Sequence, residues 1–145
     1  MKIQQIYTGC IAQAAYYIEN KGEVAIFDPL REVQPYIDKA NLDHAKIKYI
    51  FETHFHADFV SGHLDLSKNT GAPIVYGPTA NPAFEAIVAE EEQIFEVGSI
   101  KIKVLHTPGH TMESSCYLLQ DKTGEDYALF SGDTVSSGDV GRPDL

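Results

Sequence analysis

Glu52-Thr53-His54-Phe55-His56-Ala57-Asp58 decides how this chain is read. It follows directly on Lys46-Ile47-Lys48-Tyr49-Ile50-Phe51, a run with the length and composition of a strand. Two imidazoles and a carboxylate thus fall within five residues at a strand end. Imidazole and carboxylate are natural donors to a first-row divalent metal. Sheet hydrogen bonds hold such a position, so the metal does not have to order its own ligands. Two more polar loops follow strand-like runs in the same way. Thr107-Pro108-Gly109-His110-Thr111 comes after the run 100–105, and its Pro-Gly pair predicts a tight turn that aims His110 back over the strand end. Ser131-Gly132-Asp133-Thr134 comes after the run 127–130. A lone loop histidine is ordinarily solvated or capping. Three such loops at three strand ends point instead to a metal centre.

The rest of the chain reads as short strands with few helices. Residues 11–19 and 23–27 predict two strands joined by the turn Asn20-Lys21-Gly22, and Asp28-Pro29 stops the second. Val33, Tyr36, Ile37 and Ala40 share one face of a helix predicted over 32–41, which tolerates Pro35 because it lies in the first turn. A second helix is expected over 60–69, closed by Gly71, and a strand over 73–76. Asn81-Pro82 predicts the start of a third helix over 82–89. Residues 93–97 and 100–105 predict a hairpin around Gly98, and 115–120 and 127–130 flank the turn Asp121 to Gly124. Beyond Ser131 the reading is a glycine-rich loop. Mixed strands and helices with several hairpins favour an α+β or layered α/β arrangement over a doubly wound parallel sheet. Neither Gly-x-Gly-x-x-Gly nor a phosphate-cradling Gly-x-x-x-x-Gly-Lys occurs, so nucleotide motifs are absent.

With 145 residues, 1–145 read as one domain, and 43% hydrophobic residues suffice for a core. Eleven Lys and Arg against 21 Asp and Glu leave a formal net charge of −10, which a phosphate backbone or an anionic membrane would repel. Nucleic acid and membrane partners are therefore not expected. Cys10 and Cys116 are too few for a disulfide framework, which points to a reducing cytoplasm. Cys116 sits in an apolar strand and reads as an inert core thiol. No basic start followed by an apolar stretch suggests a signal peptide, and no apolar run approaches the roughly 18 residues of a membrane span.

Three segments carry a family resemblance: ETHFHADFVSGH (52–63), HTPGHTMESS (106–115) and FSGDTVSSGDVGRPDL (130–145). Together they resemble the metallo-β-lactamase superfamily, whose His-x-His-x-Asp is here His54, His56 and Asp58. Within it they are similar to the persulfide dioxygenase branch, and to its bacterial members that carry C-terminal rhodanese domains. The resemblance implies a layered αββα sandwich of which residues 1–145 form the N-terminal part. It also implies a homo-oligomer. Val135-Ser136-Ser137 departs from the bulkier residues usual there, so that stretch is expected to be looser.

The resemblance further implies one Fe(II), held by His54, His110 and Asp133. Hydrolases of the superfamily commonly hold two metals, and the second needs Asp58 plus a histidine directly after it. That position is Phe59, which cannot ligate. Two histidines and one carboxylate leave open positions for a substrate sulfur and dioxygen. His56 is a ligand in the zinc relatives and lies beside the metal in the dioxygenase-like branch. Asp58 would orient a ligand imidazole or a bound water. Arg142 would pair with Asp144 or another carboxylate to stiffen the Asp133 loop, or meet the charge of the substrate. Asp28, at a strand end, is expected to support the site through a hydrogen bond.

The implied reaction is oxidation of a small thiol persulfide, such as glutathione persulfide, by O2 to sulfite and thiol. The alternative is a zinc-dependent thioester hydrolase of the glyoxalase II type. A third reading is a metal-binding fragment without turnover. His56→Ala divides the first two: retained iron is expected if three residues hold it, and loss of metal if His56 is a zinc ligand, read by metal analysis of the purified variant.

Overall fold

A hairpin, two crossovers and a meander account for most of the architecture. The computed structural model describes residues 2–7, 14–29, 32–53, 63–76, 86–106, 115–130 and 135–136. Strands β1 (Lys2–Tyr7), β2 (Ala14–Asn20) and β3 (Glu23–Phe27) are followed by helix α1 (Gln34–Leu42) and β4 (Lys46–Phe51). Helix α2 (His63–Thr70), β5 (Ile74–Tyr76) and β6 (Ile87–Val88) come next. Strands β7 (Ile94–Val97), β8 (Ile100–His106), β9 (Ser115–Gln120), β10 (Asp126–Phe130) and β11 (Val135–Ser136) complete the described chain.

The first sheet runs β1-β2-β3-β4-β5-β6 and the second β11-β10-β9-β8-β7. Strands β3, β4, β5 and β6 are parallel, and the second sheet is antiparallel throughout. Lys21 and Gly22 turn β2 into β3 with φ of 52° and 82°, the left-handed pair that a two-residue hairpin needs. Pro35 falls in the first turn of α1, where its missing N–H costs nothing. Gly71, at φ 78°, ends α2.

The first sheet is buried on both faces. Tyr16, Ile18, Ala25, Phe27, Phe51 and Val75 face the second sheet. Tyr17, Val24, Ile26, Ile50 and Ile74 alternate with them and face Tyr36 and Ala40 of α1 and Leu66 of α2. One adjustment in β4 keeps this alternation: the pairing passes from Val24 with Ile47 to Ala25 with Tyr49, leaving Lys48 as an extra residue. Its ammonium bonds Glu23 at 3.1 Å and the Glu96 carbonyl at 3.0 Å. Layers of helix, sheet and sheet are thus present among the described residues, in agreement with the metallo-β-lactamase sandwich.

Two expectations change, and one strand, β1, has no counterpart in the local sequence pattern. The helix over 82–89 is not formed at its described end: Ile87 and Val88 pair in parallel with Val75 and Tyr76, while 77–85 lie outside the described residues. Beside an otherwise unpaired parallel edge, a β-branched pair gains ladder bonds that outweigh the Asn-Pro start signal. Val135 and Ser136 form a strand on Phe130 and Leu129 rather than a glycine-rich loop, because backbone pairing does not require bulky side chains. The N-terminal run, whose alternation is imperfect, pairs along six residues with β2. Cys116 is buried, as its apolar strand suggests, and Cys10 lies outside the described residues.

The β7–β8 turn packs tightly on the first sheet. Gly98 donates to Glu23 Oε1 at 2.7 Å and Ser99 N–H to Asn20 Oδ1 at 2.7 Å. A Cβ at Gly98, whose φ is 60°, would collide with the side-chain and main-chain oxygens of Asn20. Gly98→Ala is expected to destabilise the fold by about 2 kcal/mol or more, through left-handed strain plus the displaced Asn20, measured by urea unfolding.

Candidate metal centre

The parallel strands end side by side. Phe27 pairs with Phe51, and Phe51 with Val75, so β3, β4 and β5 finish at one level. Carboxyl ends of parallel strands are where such sheets present chemistry. In the second sheet His106 pairs with Ser115, and Phe130 pairs with Tyr117 on one side and Val135 on the other. The connections 107–114 and 131–134 therefore leave that sheet at one end. Aromatic contacts bring the two ends together. Phe130 stacks on Phe27 with centroids 4.6 Å apart, and Tyr117 lies 5.0 Å from Phe51 and 5.5 Å from Phe27.

All three polar loops are thus entered from one rim. Thr53 precedes His54, His106 and Ser115 bracket the segment holding His110, and Phe130 and Val135 bracket the one holding Asp133. His54, His56, Asp58, His110, Asp133 and Arg142 themselves lie outside the described residues. Among the described residues no group of three His, Cys, Asp or Glu side chains could hold a metal. The imidazoles and carboxylates of the three loops suit zinc or iron, and the common rim meets the requirement that ligands distant in sequence start from one place.

Below the rim lies a buried polar layer that the sequence reading only touched. Asp28, at φ 50° and 6% exposed, accepts the Thr53 N–H at 2.9 Å and the Thr53 hydroxyl at 2.7 Å. Asp tolerates this left-handed conformation better than most residues. Its own N–H donates to the Phe51 carbonyl at 2.9 Å. Asp28 therefore holds the residue next to His54, the supporting role expected of it. Glu52 is fully enclosed; burial, and then the charge of Asp28, raise its carboxyl well above the usual range. The Tyr117 hydroxyl donates to the Glu52 carbonyl. Burial, then Asp28 and Glu52, push that phenol up, so it remains a donor. Tyr117 carries no local signal in the sequence, because it is simply an inward position of a strand. His44 is exposed after α1. A cleft of about 460 Å³ lined by Asn20, Lys21, Ser99 and Lys122 lies at the turns opposite the rim and carries none of the donors.

Residues 8–145 match the metallo-beta-lactamase superfamily, and the chain belongs to it. A probable hydroxyacylglutathione hydrolase of Schizosaccharomyces pombe is 31% identical over 128 residues, which cover 86% of this chain and 48% of that protein. A metallo-beta-lactamase structure from Staphylococcus aureus superposes with a TM-score of 0.83 at 38% identity, over 100% of this chain and 47% of that one. ETHE1 from Myxococcus xanthus superposes with a TM-score of 0.74 at 25% identity, over 82% of this chain and 54% of that one. The chain spans about half the length of these relatives. No helix among the described residues is long and apolar enough to cross a membrane.

Asp28→Ala removes the acceptor of two buried bonds to Thr53. It is expected to cost about 2–4 kcal/mol, with Asp28→Asn, which keeps one acceptor, costing less; urea unfolding of both variants reads the difference.

Proposed function

We propose that this chain carries the donor loops of a metal-dependent enzyme acting on the sulfur-linked group of a glutathione-type thiol conjugate. The observation that carries the reading is the single rim from which the His54, His110 and Asp133 segments all depart. Membership of the superfamily supports a metal, and the name of the S. pombe relative supports a glutathione conjugate.

Two chemistries fit that class. Thioester hydrolysis is the one named for the curated relatives, and the comparisons weigh toward it although the sequence reading set it second. It takes zinc, with His56 among the ligands. Persulfide oxidation takes one iron on His54, His110 and Asp133. Phe59 favours this second reading by removing a donor for a second metal, and the likeness to ETHE1 accords with it. The bound metal would supply Lewis acidity in the first case and redox chemistry in the second. The chain's own residues act alike in both. His54 and His110 present neutral imidazoles, Asp133 a carboxylate, and Asp58 orients an imidazole or a water. Arg142 pairs with a carboxylate of its loop or with the substrate. Asp28 holds Thr53, and so the start of the His54 segment.

Protein loaded with Zn(II), or anaerobically with Fe(II), distinguishes these chemistries. Hydrolysis of a hydroxyacylglutathione thioester by the zinc form, without oxygen uptake, identifies the hydrolase. Oxygen uptake dependent on glutathione persulfide, with one iron per chain, identifies the dioxygenase. Neither activity in metal-loaded protein leaves a metal-binding fragment, and failure to bind either metal overturns the reading.

A further inference from the structure

We propose that Tyr117 is a positioning residue of the metal centre: its hydroxyl fixes the exit of β4, which leads to His54, against the sheet whose loops carry His110 and Asp133. The inference rests on the metal-centre reading above and adds the element that sets the spacing between its two halves.

The backbone just before His54 is held by three partners from three elements. Glu52 N–H donates to the Val75 carbonyl at 3.0 Å. Thr53 N–H donates to Asp28 Oδ1 at 2.9 Å. The Glu52 carbonyl accepts from the Tyr117 hydroxyl, which also lies 3.5 Å from the Val75 carbonyl. Val75 is in the first sheet and Asp28 directly follows its strand β3, so their bonds fix β4 only relative to its own neighbours. Tyr117 belongs to β9 in the second sheet, seven residues after His110, and pairs with Phe130, three residues before Asp133. Its bond therefore relates one donor segment to the other two.

The ring cannot easily move that hydroxyl. It is fully buried and packs edge-on against Phe27 and tilted against Phe51. Contacts at the far end of the sandwich, where Gly98 and Ser99 meet Glu23 and Asn20, tie the sheets together but lie away from the donor loops. A metal tolerates errors of only about 0.2 Å in ligand distance, so a shift of one sheet against the other would be felt at once in affinity.

Tyr117→Phe keeps the ring and removes the hydroxyl. Competition with a chromophoric chelator is expected to give roughly tenfold or greater loss of Zn(II) affinity, the size usual for groups that orient ligands, and an altered Co(II) absorption spectrum. Val97→Ala, in the same core near the far end, should lower stability while leaving affinity and spectrum at the wild-type values. Tyr117→Phe with wild-type affinity and spectrum overturns this inference and leaves the functional reading standing. A wild-type chain that binds no metal overturns the functional reading itself and this inference with it. A second measurement compares the metal-free proteins: the Glu52 and Thr53 amides should exchange faster with solvent in Tyr117→Phe than in wild type, and equal rates would also overturn the proposal.

Discussion

The contact on which the rest depends is the aromatic seam between the sheets at the rim. Phe27, Phe51, Tyr117 and Phe130 meet there, two from the mixed first sheet and two from the antiparallel second one. Each such pair contributes roughly 0.5–1.5 kcal/mol beyond the area it buries. Its larger effect is geometric. Phe51, Tyr117 and Phe130 each stand within a few residues of one of the three polar segments, and Phe27 packs against all three rings, so the seam brings the ends of those strands to one place.

Directly above the seam the environment turns polar while remaining buried. Asp28, Glu52 and Thr53 are all nearly inaccessible. Burying such groups is costly unless hydrogen bonds compensate, and Asp28 with Thr53 supplies two of them. Burial acts oppositely on the neighbouring acid: Glu52 is driven toward its protonated form, first by desolvation and then by the charge of Asp28. This layer caps the apolar core at the strand ends from which the imidazole-bearing segments depart. It spends stability to hold the backbone in one arrangement, as functional rims commonly do.

The three polar loops at strand ends were the most legible feature of the sequence, because histidines and acids at short spacing after strand-like runs are rare by accident. The β2–β3 and β7–β8 hairpins were legible for local reasons: Lys21-Gly22 and Gly98 occupy left-handed positions that few residues accept. The two shortest edge strands were not. β6 holds two residues and β11 two, and neither has enough chain to show an alternating pattern. They exist because a neighbouring strand offers unpaired backbone groups, which is a property of the sheet rather than of the segment. Tyr16 and Tyr17 make the same point. Alternation turns them to opposite faces of the sheet, yet both are buried, since helices cover one face and the second sheet covers the other.

By itself, the sequence determined which chemistry is available: imidazoles and carboxylates in three polar loops, Phe59 where a second metal would want a histidine, and no nucleotide motif. It also determined most strands and both described helices, because these depend on local spacing and on turn residues. Only the tertiary structure decided that the strand ends bearing the three loops share one rim, and that Asp28 and Tyr117 hold the approach to His54. Those facts depend on the pairing of distant strands and the stacking of rings from different sheets, and no local pattern of residues encodes such a meeting.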